Sequence, residues 1–148
     1  MAGIMKNIHI ISRSNGLYRS RELPDAELNS THHPLVFAIC GNPGLSQDQL
    51  ARRLCFTKST VTRRLAFLEE HGYVTRVPHE SDKRVLQVYP TQKMLDFLPS
   101  LRAVAKQWRE DILEAISEEE LDVLKDLLER IATRAKELAG VDELEGVE

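Results

Sequence analysis

The chain has 148 residues, a formal net charge of −3, 42% hydrophobic and 29% charged residues. That composition fits one globular domain with helical extensions and excludes a disordered, collagen-like or membrane-embedded chain. No apolar run approaches the roughly 18 residues of a membrane span, and two cysteines, Cys40 and Cys55, build neither a disulfide framework nor a metal site.

A charged, amphipathic stretch follows the opening apolar residues directly, so no signal peptide is expected and the cytoplasm is the default compartment. Ile4, Ile8 and Ile11 recur at helical spacing, and Leu17 and Tyr18 extend that face. The run Leu23-Pro24-Asp25 interrupts it. His32-His33-Pro34 precedes a short apolar segment, residues 35–40. Gly41-Asn42-Pro43-Gly44 closes that segment with turn formers. Ser46, with Gln49 three residues later, spells a capping box, and Leu50, Ala51 and Leu54 give the helix it opens an apolar side.

Thr57 caps the next helix, expected to run to about His71. Val61, Leu65 and Leu68 form one face; Lys58, Ser59, Thr62, Arg63 and Glu70 lie opposite. Gly72 ends the helix in a left-handed conformation. Residues 73–77 and 84–89 are expected strands around a polar loop, 78–83, making a two-stranded hairpin. Thr91 is expected to cap a further helix that Pro99 kinks or breaks, leaving a main part over 100–115. Its apolar series is Leu98, Leu101, Ala105, Trp108, Ile112 and Ala115. Ser117 and Glu120 make a second capping box, with Glu118, Glu119 and Glu120 opposing the positive helix end. Leu121, Leu124, Leu128, Ile131, Ala135 and Leu138 repeat a three-four rhythm, Leu127 widens the stripe, and Gly140 ends it. The organisation expected is an N-terminal helix (1–30), a lobe (31–90), C-terminal helices (91–140) and an acidic flexible tail (141–148).

The net charge hides an asymmetry. Residues 52–93 carry nine basic and four acidic side chains; residues 94–148 carry seven basic and fifteen acidic. A basic middle beside an acidic end points one surface at a polyanion. That middle reads as helix, tight turn, helix and hairpin: a mainly α fold with a small β wing, the winged helix-turn-helix. Its second helix fits a major groove, and its loop reaches the flanking backbone or minor groove. The hydroxyls of Ser59 and Thr62 allow close approach, Arg63 can reach a guanine edge, and Arg53, Thr57, Lys58 and Thr60 suit phosphate. A merely solvated basic helix is the plainer alternative.

The stretch STVTRRLAFLEEHGYVTR, followed by Asp82-Lys83-Arg84, closely resembles the MarR family of bacterial transcription regulators. The likeness is specific over the winged lobe and rests only on length and order in the flanking helices. It implies a homodimer with interlocked terminal helices and two winged lobes on pseudo-palindromic double-stranded DNA. It implies that Asp82 steadies the wing, often by pairing with Arg84, and that Arg84 and Lys83 approach DNA. An ordinary surface ion pair is the alternative there. The chain departs from the family at Met94, where a Gly commonly stands, and at Pro99.

The resemblance also implies a small organic effector, commonly one that releases DNA. Candidate lining residues are Ile11, Asn15, Tyr18, His33, Phe37, Cys40 and Trp108, which offer an apolar wall with a few polar groups. They equally suit a filled hinge between lobes. The dimerisation candidates are Ile4, Ile8, Leu121, Leu124, Leu128, Ile131 and Leu138; packing within one chain is the alternative. No cofactor and no metal is expected, because His32 and His33 are adjacent and point apart, and His9, His71 and His79 are scattered. Cysteine-based redox sensing through Cys40 or Cys55 is a second reading, and a protein-interaction domain that binds no DNA a third. No Gly-rich phosphate loop, CxxC, HExxH or GxSxG supports an enzyme.

Overall fold

In the computed structural model, residues 2–24 and 26–141 are described. The expectation for Asp25 and nearly all of the acidic tail (142–148) lies outside them. The elements are α1 (Ala2–Glu22), α2 (His33–Gly41), β1 (Leu45–Ser46), α3 (Gln47–Leu54), α4 (Lys58–Glu70), β2 (Val74–Pro78), β3 (Leu86–Pro90), α5 (Gln92–Leu113) and α6 (Glu118–Ala139).

Local chemistry sets most of these boundaries. Ser46 and Gln49 make the reciprocal capping box at α3, and Ser117 and Glu120 repeat it at α6. The Thr57 side chain accepts the Thr60 N–H and starts α4. Gly72 follows α4 with φ +77, a conformation that side chains rarely adopt. Val61, Leu65 and Leu68 are fully buried against Leu35, Ile39, Leu50 and Val88, so the apolar face of α4 joins α2, α3 and the sheet in one core. Truncating Leu65 to Ala there would cost roughly 2–5 kcal/mol.

The apolar segment 35–40, given no element type from sequence, is a helix, α2, entered through Pro34 in its first turn. Four expectations need correction. A third strand exists: β1 pairs antiparallel with β3, giving the order β1-β3-β2. The hairpin strands run over Val74–Pro78 and Leu86–Pro90, so Tyr73, Arg84 and Val85 fall outside them. Thr91 stands at the start of α5 but makes no side-chain cap; its hydroxyl lies 2.6 Å from the Gly72 carbonyl and 3.0 Å from that of Tyr73. Pro99 sits inside an unbroken α5 that ends at Leu113. The face carrying Leu95 and Pro99 is exposed, so the Leu95 carbonyl that loses its partner meets water. On the opposite face Met94, Leu98 and Leu101 are buried and hold the helix in line; Met94 fills core.

α1 and α6 present most of their apolar side chains to solvent. Ile4, Ile11, Leu124, Leu128, Ile131 and Leu138 are exposed, and α6 has no buried residue. No described helix is long and apolar enough to cross a membrane.

Candidate nucleic-acid interface

Burial of Val61, Leu65 and Leu68 turns the other side of α4 outward, where Lys58, Ser59, Thr62 and Arg63 are all exposed. Several of the hydroxyls are already ordered. Thr57 Oγ1 lies 2.8 Å from Thr60 Oγ1 and 3.2 Å from Ser59 Oγ, a ladder along the first turn. Lys58 pairs with Asp48 of α3 at 3.3 Å, both side chains largely exposed. Arg53 is exposed on α3. Arg63 has no ion-pair partner among the described residues, whereas Arg64 turns back over the Phe56 ring at 4.6 Å.

At the wing, Arg84 donates from Nε and a terminal nitrogen to the two carboxylate oxygens of Asp82, at 3.0 and 3.1 Å, and its backbone N–H donates to the same carboxylate at 3.1 Å. These hydrogen bonds hold the Asp82 carboxyl below its usual range. Arg84 remains almost fully exposed, so the pair orders the loop without hiding the guanidinium. Lys83 is exposed beside it.

Sequence reasoning missed the group that ties these elements together. Arg76 on β2 donates to both oxygens of Glu69 on α4, at 3.1 and 2.9 Å, and to Gln47 Oε1 on α3 at 3.0 Å. One guanidinium thus links the sheet to both helices of the turn. Nothing in the spacing of Gln47, Glu69 and Arg76 signals that they meet. A second joint lies at the end of α4: Lys93 donates to Glu27 and to the His71 carbonyl, and Tyr73 Oη donates to the same Glu27 oxygen.

The proposed effector residues distribute unevenly. Tyr18 meets Trp108 with ring centroids 5.1 Å apart, joining α1 to α5. His33 is fully buried and lies 5.9 Å from Phe97. Burial, with the Arg19 charge nearby, pushes its pKa down to about 4. The Leu28 backbone favours its protonated form, but neither ring nitrogen has a hydrogen bond of ordinary geometry. Asn15 Oδ1 and Arg19 Nε are likewise buried without a partner. Phe37 and Cys40 pack partly buried against the core, while Ile11 faces solvent. Burial raises the Cys40 thiol pKa, and Cys55 is exposed with φ +53 at the corner between α3 and α4. Among the described residues no group of three His, Cys, Asp or Glu side chains could hold a metal.

A family model described as MarR family matches residues 26–85, the span from the loop before α2 to the wing. An uncharacterized HTH-type transcriptional regulator, YybA, of Bacillus subtilis (strain 168) is 28% identical over 131 residues, covering 88% of this chain and 87% of its own. The solved transcriptional regulator SlyA superposes with a TM-score of 0.87 at 25% identity, covering 90% of this chain and 94% of that one. A putative MarR family regulator from Listeria monocytogenes, crystallised with a 26mer DNA, gives a TM-score of 0.85 at 20% identity. That match covers 95% of this chain and 97% of the other.

Proposed function

Because the chain belongs to the MarR family of winged helix-turn-helix transcription regulators, we propose that it represses transcription as a homodimer on a pseudo-palindromic operator. A small organic effector then releases it. The observation that carries the DNA-binding part is the division of α4: Val61, Leu65 and Leu68 wholly buried, Ser59, Thr62 and Arg63 exposed. In this reading the first half of α4 enters the major groove. Arg63 reads a base edge, and Arg53, Thr57, Lys58 and Thr60 hold phosphates. Lys83 and Arg84 reach the flanking backbone from a loop that Asp82 steadies. The DNA-bound Listeria structure supports the same use of this fold.

Residues 1–30 and 91–140 serve dimerisation in this reading, and 31–90 the DNA-binding lobe. Support comes from the exposed apolar faces of α1 and α6, which a second copy would cover. Ile4, Ile8, Leu121, Leu124, Leu128, Ile131 and Leu138 are the contacts assigned to it. The effector would sit where α1, α2 and α5 converge, near Asn15, Tyr18, His33, Phe37, Cys40 and Trp108. The buried polar atoms of Asn15 and His33 that lack partners are the support for that placement. Ligand binding weakens DNA binding only by favouring a lobe spacing that fits DNA poorly.

Genomic footprinting of the bound DNA tests the reading, followed by titration of the recovered duplex with small phenolic and carboxylic compounds. Duplex binding that strengthens as salt falls is expected; binding that ignores salt would favour a protein-interaction domain. Binding that no compound of the native cell alters would remove the effector. DNA release by a thiol oxidant, lost in Cys40→Ser or Cys55→Ser, would favour redox sensing instead.

A further inference from the structure

A cavity of about 750 Å³ lies between the start of α3 and the wing. One wall is the turn 42–44 with the first residues of α3 and Arg52; the other is Arg84 to Gln87, with His79 at its edge. We propose that this groove seats backbone phosphates of bound DNA as the strand passes from the recognition helix to the wing, with Arg52 as the charged contact. The proposal rests on the DNA-binding reading above and adds a contact that neither α4 nor the wing tip supplies.

The charges facing the groove decide its sign. Asp48 is matched by Lys58 at 3.3 Å, and Arg84 by Asp82 at 3.0 Å. Arg52 has no ion-pair partner among the described residues and is exposed, so a positive charge is left over. The backbone adds to it. In the capping box Gln49 N–H goes to Ser46 Oγ, and Ser46 N–H goes to Gln49 Oε1. Gln47 and Asp48, the first two residues of α3, line the groove, and N–H groups of a first helical turn have no acceptor within the helix.

The walls are also fixed to one another before any ligand arrives. Gly44 N–H donates to the Val88 carbonyl at 2.9 Å, and Gln87 Nε2 donates to the Gly44 carbonyl at 3.2 Å. Gly44 is needed there: at φ +94, an added Cβ would stand 3.1 Å from Tyr89 Oη. A groove held open in this way, flanked by the two elements assigned to DNA, suits a continuous strand rather than an enclosed small molecule.

The test uses the full-length protein and a duplex selected from randomised DNA, with methylphosphonate replacing single phosphates in turn. Arg52→Ala should lower the slope of log affinity against log salt by about one, equally on matched and mismatched duplexes. Arg52→Lys should restore the slope. Neutralising one phosphate beside the half-site should weaken the wild type clearly more than Arg52→Ala. Arg52 is exposed, so the thermal midpoint of Arg52→Ala should match the wild type and exclude misfolding as the cause. An unchanged slope, or methylphosphonate losses equal in both proteins at every step, overturns the seat while leaving DNA binding intact. A wild type that binds no duplex overturns the DNA-binding reading itself, and the seat with it.

Discussion

His32 lies face to face on Phe67, with ring centroids 4.5 Å apart and planes 12° from parallel. His71 stacks on the same Phe67 at 3.9 Å, so the recognition helix ends in a three-ring pile anchored at the start of α2. The next residue, His33, turns the other way, toward Phe97 on α5. Two adjacent imidazoles therefore connect α4 to α5. His32 Nδ1 accepts the Asn29 N–H at 3.3 Å, which requires that nitrogen to be unprotonated.

Replacing Phe67 by Leu keeps apolar volume and removes the stack. A loss of about 1 kcal/mol is expected, the usual worth of an aromatic pair beyond its burial. Urea unfolding at pH 7 measures it; an unchanged midpoint would mean the rings merely sit together.

Acid should destabilise the protein through His33. Its folded value, about 4, lies below the ordinary 6.5 because burial, and then Arg19, disfavour the cation. A depressed value means the native state holds the neutral form. Stability is complete above about 6.5 and declines as pH falls toward 4, with an upper bound of roughly 3 kcal/mol. His32 is shifted the same way, by burial first and then by Arg64 and His71. The urea midpoint should fall between pH 7 and pH 5 in the wild type and fall less in His33→Gln. Equal losses would assign the effect elsewhere.

Arg63→Ala should cost about 1–3 kcal/mol of discrimination between matched and mismatched duplexes, the worth of one bidentate base contact. Fluorescence anisotropy on both duplexes separates the cases. A loss of the same size on each places Arg63 on phosphate.

Arg76→Met should weaken DNA binding more than folding. Its side chain is largely covered but Glu69 is partly exposed, so the abandoned carboxylate rehydrates and the cost to stability stays near 1 kcal/mol. DNA affinity should drop severalfold because α3, α4 and β2 lose their common tie. Affinity equal to wild type would reduce Arg76 to an ordinary surface link.

In sedimentation at micromolar concentration, the wild type should run near twice its 16.9 kDa chain mass. Leu128→Glu combined with Ile131→Glu should shift it toward the chain mass, because both side chains lie exposed on one apolar face of α6. A wild type at the chain mass would end the homodimer reading.

What was legible in the sequence is what neighbours decide. The capping boxes at Ser46 and Ser117 and the cap at Thr57 each involve residues three apart, and the face of α4 follows from a repeat of three and four. What stayed hidden depends on distant partners. Two residues of β1 make a strand only because Val88 and Gln87 lie alongside them. α2 is too short and too apolar to display a period. Pro99 is tolerated because of which side of α5 meets water, and Arg52 shares a groove only because a wing stands opposite it. The Asp82–Arg84 pair was legible through family likeness, not through spacing.

Ser46 is both the last residue of β1 and the cap of α3. Sheet register and helix orientation therefore cannot be adjusted separately: a wing that bends must drag the helix-turn-helix along. Each lobe then behaves as a fixed gauge. In the homodimer proposed above, an operator whose half-sites are too near or too far apart by one base pair would have to be accommodated in the long helices, not at the DNA surface. Spacing tolerance would accordingly be tuned by substitutions along α5, where Pro99 already interrupts one rung of hydrogen bonding, and would be indifferent to changes in the wing.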